Sequence, residues 1–445
     1  MFVDNQAINM EELRNTCVYG ISDSLRPICW RLLLGYLTKE RQKWKEILPQ
    51  LRHEYESLVN NFTAYPSFSA KNEAYNANSV VEECVTDHPL ATSSSEGTTE
   101  KTVWEIYFED NKLIEVINRD VKRLRPEMGF FQRKNKFPKS WSEKASLLDR
   151  IVPRRDDSEE TPIEKNKPFE EMHWHVIQRI LFIYAKANPG IKYVQGLHEL
   201  LGPIYFVFAS DPDVEWSQHA EADSFYCFQN LLTEIKDNFI SVLDSSNVGM
   251  NAILNQFYEK VAETDPELYN LFIELKIKPQ YFAYRWLSVL LCMEFSLPDT
   301  IQLWDNIFSS SKRMERAQNI GLAMLQEIRS QLFKGDYMEN IKLLQNYPTD
   351  CEVFPLITYA TKLELGTLDA HTEQSTMSAF GRKFKSKMSE LIRAIQPPKY
   401  QLVCCINMRY GLYGLQGLAS PVSPTLCNVI PMSSKYGDAW VELGA

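Results

Sequence analysis

Apolar residues recur every three to four positions along most of the chain, which predicts amphipathic helices rather than strands. In the segment 172–187, for example, Ile177, Ile180 and Leu181 share one helix face, and Pro189 then ends the helix because proline cannot continue it. The same spacing predicts helices at 27–37, 102–122, 197–208, 225–242, 250–262, 266–275, 281–294, 299–308, 317–332 and 337–344. Alternating strand patterns are sparse, so we predict an all-α fold.

Two internal stretches and the C-terminal end depart from this pattern. The segment 67–101 has few large apolar residues, and 132–170 is rich in charge and proline, so both are predicted to be long surface insertions. The last 46 residues carry only four charged groups but five of the 17 glycines. We therefore predict one large multi-helix domain over 15–395. The tail, 396–445, would lie outside its core as an alternative ending or a partner-binding segment.

Charge and cysteine content exclude several classes of protein. The net charge of −10 argues against nucleic-acid binding, which favours a basic surface. The nine cysteines are scattered without a Cys-x-x-Cys pair, so neither a zinc ribbon nor a disulfide framework is indicated. The longest apolar stretches, such as 200–209, are too short to span a membrane, and the N-terminus has acids where a signal peptide has bases. We expect a reduced, soluble, cytoplasmic protein without a transmembrane segment.

Several motif fragments do not amount to a catalytic or metal site. His198-Glu199 begins like a zinc-protease helix, but Gly202 stands where the second histidine is needed. His173 and His175 are two residues apart, hence on different sides of a helix, and a third ligand is missing. The chain has neither a phosphate-binding P-loop nor a Gly-x-Ser-x-Gly elbow. We expect no metal or cofactor of its own.

Two polar segments remain, each beside a helix end. Asp120 and Arg123 are three residues apart and share a helix face, and Pro126 ends that helix soon after. Gln195 lies between a Pro-Gly break and an apolar helix, where its amide can reach outward. Taken singly, the first segment is typical of a weak ion pair on a solvated face, and the second of a capping or loop glutamine.

Together the two segments resemble the signature motifs of the TBC-domain Rab GTPase-activating proteins. The resemblance rests on four stretches that occur in the family's order. Residues 20–35 are similar to the opening motif, and Ile117-x-x-Asp120-x-x-Arg123 with its following proline is similar to the arginine-finger motif. Tyr193-x-Gln195-Gly196 is similar to the glutamine-finger motif, and 285–305 is similar to later helices. It covers about residues 15–365.

This resemblance implies a GTPase-activating protein that supplies catalytic residues in trans, an enzyme activator without substrate chemistry of its own. Arg123 would be the arginine finger, and Gln195 would be inserted in place of the GTPase's own glutamine. Asp120, Tyr193 and Gly196 would be supporting residues. Asp120 would orient Arg123 or its loop. Tyr193 would pack beside the partner's switch region, with a core position as an equal alternative.

The same resemblance implies the partner and the cellular setting. The partner would be a GTP-loaded Rab-family GTPase, which carries the GTP and Mg²⁺. The role would be in vesicle trafficking, with peripheral association with endomembranes through the partner. Residues 112–155 contain thirteen basic and five acidic residues, which could steer such a partner or an anionic membrane. For 133–155, a solvated disordered insertion is the stronger interpretation.

The chemistry explains why arginine and glutamine are needed. A guanidinium is always charged and donates a planar fork of hydrogen bonds to phosphate oxygens. An amide both donates and accepts, so it can hold a water molecule. Two other classes remain: a non-catalytic helical scaffold that binds Rab GTPases or their effectors, and an unrelated helical adaptor. Trp30, Trp286 and Trp304 lie in apolar contexts and are predicted to be core residues.

Overall fold

The computed structural model describes residues 7–63, 103–139, 170–191, 193–235, 249–348 and 352–366. All of them belong to one compact unit, Met1–Gln396. Within these ranges the regular structure is helical, apart from an isolated antiparallel bridge between Lys134 and Met172. The predicted all-α fold is therefore confirmed. The predicted insertion at 67–101, most of the one at 132–170 and the tail from 396 lie outside the described residues.

Most helices follow one another with short connections. In chain order, the α-helices are Met10–Cys17 (α1), Arg26–Leu33 (α2), Trp44–Thr63 (α3), Val103–Val121 (α4), His173–Ala187 (α5), Leu197–Ala209 (α6), Val214–Ser217 (α7), Ala220–Ile235 (α8), Met250–Thr264 (α9), Pro266–Glu274 (α10), Ala283–Ser288 (α11), Leu297–Ser309 (α12), Arg313–Glu327 (α13), Arg329–Leu332 (α14), Tyr337–Gln345 (α15) and Val353–Glu364 (α16). The connections between α3 and α4 and between α4 and α5 are long. Helices α4, α5 and α6 pack on one another, α6 also packs on α8, and α13 packs along α16.

One predicted helix, 281–294, is wrong over its second half. Helix α11 ends at Ser288, because Leu290 and Leu291 adopt left-handed conformations with φ of 49° and 64°. Such angles are costly for leucine, so surrounding contacts must enforce them. The Nε1 of buried Trp304 donates to the carbonyl of Leu290 at 2.9 Å, and both leucine side chains are fully buried. Packing therefore overrides the helical spacing here.

Four helices, α1, α3, α7 and α16, are not predicted from the sequence. Helix α1 is only two turns long, and its start is set by the Asn9 side chain, which accepts from the backbone N–H groups of Glu11 and Glu12. Helix α3 has twenty residues, of which only a narrow stripe is buried, and it contains Pro49. Helix α16 was not predicted either, although it packs along α13. Short or narrowly apolar helices show too little periodicity to be recognised.

The three tryptophans predicted to be core residues are fully buried, which confirms that expectation. The rings of Trp30 and Trp304 lie 6.1 Å apart, and Trp30 donates to Asp305 at 2.7 Å. The same buried carboxylate accepts from the backbone N–H of Ile21 at 2.8 Å and from Arg26 at 3.1 Å. Two of the stretches that carry the family resemblance, 20–35 and 285–305, are thus joined in the core.

A second buried polar cluster joins α2, α3 and α8. Asp223, fully buried on α8, accepts from Arg31 at 2.9 Å, from Arg52 at 3.1 Å and from the hydroxyl of Tyr36 at 2.7 Å. Because both oxygens of the carboxylate are satisfied, the charge can be buried without a large penalty. This cluster holds α8, on which α6 rests.

Candidate functional site

The predicted arginine finger lies just beyond the C-terminus of α4. The helix ends at Val121, and the next turn is held by the backbone N–H of Arg123, which donates to the carbonyl of Asp120 at 3.0 Å. The Arg123 side chain is exposed and has no ion-pair or hydrogen-bond partner among the described residues. An Asp120–Arg123 ion pair, the simplest sequence interpretation of this segment, is therefore wrong.

Buried side chains around this turn fix its backbone. Ile117, Val121 and Leu124 are fully buried. Leu124 packs against α6 at Gly202, where an added Cβ would lie 3.1 Å from Leu124 Cδ1. A side chain at that position would therefore require Leu124 to shift by a few tenths of an ångström. Arg123 thus projects from a turn whose neighbours on both sides are anchored in the core.

Arg125 is a site residue that sequence reasoning missed. Its backbone is left-handed with φ of 42°, and its Nη1 donates to the carbonyl of Phe295 at 2.7 Å. Its Nη2 donates to the carbonyl of Cys292, and its Nε lies 3.3 Å from a carboxylate oxygen of Glu199. Burial raises the pKa of Glu199, and the Arg125 charge opposes that rise. Arg125 therefore ties the finger turn to the loop after α11 and to α6.

The predicted glutamine finger lies at the start of α6, as the sequence indicates. Gly196 caps this helix with φ of 106°, and a Cβ there would lie 3.4 Å from Val289. Glycine is the residue that adopts this conformation without strain. The Gln195 side chain is exposed and has neither a hydrogen bond nor an ion pair within the part of the chain that the structure describes.

A hydrogen bond joins the two motifs. The Tyr193 hydroxyl donates to Oδ2 of Asp120 at 2.7 Å and lies 3.2 Å from Nδ1 of His198. Asp120 is buried and Tyr193 is half-buried. Arg123 is one helical turn beyond Asp120. Gln195 is two residues beyond Tyr193, and two residues of extended chain span at most about 7 Å. The structure therefore brings the two motif segments side by side, with both exposed side chains on adjacent turns.

The groups of this junction are kept in fixed protonation states. Burial raises the pKa of the Tyr193 hydroxyl, and its bond to the Asp120 carboxylate raises the pKa further. Burial lowers the pKa of His198, against the opposing effect of Asp120. At neutral pH the tyrosine is therefore protonated and the histidine is neutral, so the hydroxyl is always available as a donor to Asp120.

The histidines at the start of α5 are structural. His173 and His175 are both buried; Nδ1 of His173 lies 2.8 Å from the Tyr205 hydroxyl, and Nδ1 of His175 accepts from the backbone N–H of Met172. No group of three or more potential metal ligands occurs among the described residues. Among the same residues, no helix has the length and hydrophobicity needed to cross a membrane.

The buried histidine His173 gives the fold a pH dependence. Burial lowers its pKa to about 4, from 6.5 in the unfolded chain, so its stabilising contribution is complete above pH 6.5 and is lost as the pH falls towards 4. Between pH 7 and pH 5 we expect this residue to remove about 1–2 kcal/mol from the free energy of unfolding. Urea titrations at both pH values should show a smaller loss for His173→Gln than for the wild type. An equal loss in both proteins would contradict the assignment.

Comparison with known proteins identifies the family. Residues 99–333 match the Rab-GTPase-TBC domain, a span that includes both motif segments and the helices α4–α14. The chain belongs to this family.

Its relatives agree with that assignment. The chain is 38% identical to TBC1 domain family member 13 of Homo sapiens over 379 residues, which cover 78% of this chain and 92% of the relative. The Mus musculus protein of the same name is 39% identical over the same shares. The Arg-Leu-Arg-Pro sequence at 123–126 and the lengths of the insertions indicate similarity to this member, and the comparison confirms that similarity.

A solved structure supports the fold. The Ypt/Rab-GAP domain of Gyp1p superimposes with a TM-score of 0.59 at 22% identity, covering 82% of this chain and 95% of that domain. At this identity the likeness concerns the fold alone.

Proposed function

We propose that this protein accelerates GTP hydrolysis by a GTP-loaded Rab-family GTPase, to which it supplies Arg123 and Gln195 in trans. The observation that carries the proposal is the placement of these two side chains. Both are exposed, without partners among the described residues, on turns joined by the Tyr193–Asp120 bond. Membership of a family whose domain is named for Rab GTPases supports the choice of partner.

In this proposal Arg123 compensates the negative charge that develops on the transferring phosphoryl group. Its guanidinium makes no ion pair with described residues that would have to break before it reaches the phosphates. The backbone of its turn is already ordered by Leu124 and Arg125, so little conformational entropy is lost when the finger inserts. GTP and Mg²⁺ belong to the partner.

Gln195 positions the attacking water in the same proposal. An amide can accept from the water and donate to a phosphate oxygen at once, which a carboxylate cannot do. The left-handed Gly196 turns the backbone directly after it into α6. Asp120 and Tyr193 act as positioning residues, because they hold the two turns together without being exposed finger side chains themselves. In the cell, the activity would serve vesicle trafficking from the cytoplasm, with peripheral membrane association through the partner.

The proposal is tested by single-turnover GTP hydrolysis with a panel of purified Rab GTPases. We expect at least one Rab to hydrolyse GTP faster in the presence of the protein, in proportion to its concentration. Binding to GTP-loaded Rab without acceleration would point instead to a non-catalytic scaffold. Neither binding nor acceleration on any Rab would contradict the proposal altogether.

Tyr193→Phe tests the junction between the two turns. The change removes only the hydroxyl, so the buried Asp120 carboxylate loses its donor at a cost of about 1–3 kcal/mol in the free energy of unfolding. We also expect the maximal rate of GTP hydrolysis to fall more than the affinity for the GTPase, because finger placement rather than contact area is altered.

The matched control for this variant is Tyr184→Phe on α5. The Tyr184 hydroxyl has no hydrogen-bond partner among the residues described, so its removal should leave both stability and turnover close to those of the wild type. If the two variants behave alike in both measurements, the bridge has no role in positioning the fingers.

A further inference from the structure

The basic segment that follows the finger turn is ordered where it is described, and it lines a cavity. Arg133, Lys134, Lys136 and Lys139 fall within seven residues. For 133–139, the predicted disorder is therefore wrong, although Arg133, Lys134 and Lys136 are exposed as predicted.

Backbone hydrogen bonds hold this segment in place. The N–H of Asn135 donates to the carbonyl of Glu171 at 2.7 Å, and the N–H of His173 donates to the carbonyl of Arg133 at 3.0 Å. The amide side chain of Asn135 also donates to the Glu171 carboxylate at 2.6 Å. The basic side chains are therefore carried by a backbone fixed to the start of α5.

A cavity of about 440 Å³ opens between this segment, α5, α6 and the start of α8. All four basic residues lie along its wall. The apolar part of the wall includes Phe130, Phe137 and Phe206, and Ser217 and Gln218 are polar residues of the same wall. Phe130 stacks on His173 with ring centroids 4.3 Å apart. This size and this mixture of apolar wall and convergent polar groups are typical of small-molecule sites.

The charge facing the cavity is positive. Its acidic wall residue, Glu221, accepts from Arg179 at 2.7 Å and from Tyr55 at 2.8 Å, so its charge is already compensated. Lys134 pairs with Glu170 at 2.5 Å. Arg133 and Lys136 are exposed and have no side-chain partner among the described residues. The cavity thus has cationic groups in excess within a chain of net charge −10.

The titration of His173 agrees with this excess. Its pKa is lowered to about 4, mainly by burial, and the charges of Lys136 and Arg133 contribute to this lowering against the opposing effect of Glu171. Lys139 is half-buried, and burial lowers its pKa as well. An anion placed among these groups would be attracted by several of them at once.

We propose that this cavity binds a compact, multiply phosphorylated small molecule of the inositol phosphate type. The basic side chains would contact the phosphates, the donors of Ser217 and Gln218 would contact phosphate or hydroxyl oxygens, and the phenylalanines would pack against the ring. The same chemistry is presented by a free inositol phosphate and by a phosphoinositide headgroup. The binding needs no GTPase, so it stands or falls independently of the proposed activity.

The first experiment measures inositol 1,4,5-trisphosphate binding to the full chain by titration calorimetry. We expect saturable binding at one site that weakens with added salt. The double variant Arg133→Gln/Lys136→Gln should bind the trisphosphate with an affinity at least about tenfold lower, because two charge-assisted contacts are lost. The control Lys45→Gln/Lys334→Gln changes the net charge equally, at exposed lysines outside the cavity wall, and should change the affinity less than about twofold.

The second experiment identifies the source of the ligand. Flotation with vesicles containing phosphatidylinositol 4,5-bisphosphate is compared with phosphatidylserine vesicles of equal surface charge. Binding to both the trisphosphate and the phosphoinositide vesicles, each weakened in the cavity variant, supports a lipid headgroup; binding to the trisphosphate alone supports a soluble ligand. Absence of saturable trisphosphate binding, or equal weakening by the cavity and control variants, would overturn the proposal.

Discussion

Replacing Arg123 by alanine is expected to lower the acceleration of Rab GTP hydrolysis by a factor of about 10³–10⁵, which corresponds to about 4–7 kcal/mol of transition-state stabilisation. The loss should be confined to the chemical step. The side chain is exposed and makes no polar contact within the described structure, so its removal leaves the fold unchanged. Single-turnover hydrolysis at saturating activator separates this effect from binding.

The control for this result is Arg119→Ala, one turn earlier on α4. Arg119 is also exposed, so the variant removes the same charge from the same surface without touching the finger turn. It should change the rate less than about twofold. Arg123→Lys should fail almost as fully as alanine, because an ammonium lacks the planar fork that bridges phosphate oxygens. Acceleration that survives in Arg123→Ala would remove the arginine from the mechanism.

Replacing Trp304 by alanine is expected to lower the free energy of unfolding by about 3–5 kcal/mol. The ring is fully buried between Trp30 and Phe308, at centroid distances of 6.1 and 5.2 Å, and its Nε1 donates to the carbonyl of Leu290. The variant would therefore leave a cavity and release the left-handed turn at 290–291. Equilibrium urea unfolding followed by circular dichroism measures the change.

Trp174→Ala is the comparison for this substitution. Trp174 is half-buried at the start of α5 and stacks on His175 at a centroid distance of 3.7 Å. Because Trp174 is partly exposed, we expect Trp174→Ala to lower the free energy of unfolding less than Trp304→Ala does. Less apolar surface returns to water, and no closed cavity forms. An equal or larger loss for Trp174→Ala would mean that the central tryptophan cluster is not the main support of the fold.

The sequence predicts most of the long helices, because their apolar faces are wide enough to give a clear period. It also indicates the turn that carries Gln195, since the break at 188–190 and Gly196 mark it. The failures have physical causes. The turn at 290–291 is formed by two leucines, which have no intrinsic preference for left-handed backbone, so only the packed core reveals it.

Arg125 shows the same limit within the candidate site. Its neighbours in the sequence give no sign that its guanidinium lies buried against carbonyls about 170 residues further along the chain. Those carbonyls lie between α11 and α12, and only the fold brings them next to the finger turn. The ordered backbone at 133–139 cannot be predicted from its own sequence for a similar reason, since it depends on hydrogen bonds to Glu171 and His173.

The pairing of the segment after the finger turn with the start of α5 has an architectural consequence. Phe131 accepts from the N–H of Trp174 at 3.0 Å, and the Asn135–Glu171 bond lies further along the same pair of segments. The two described segments that flank residues 140–169 are therefore held side by side by antiparallel hydrogen bonds. Because these bonds fix both flanking segments, we expect a change in the length of the connecting sequence to leave the separation of the two motif turns unaltered. This connection is therefore a place next to the two motif turns where we expect added sequence to be tolerated.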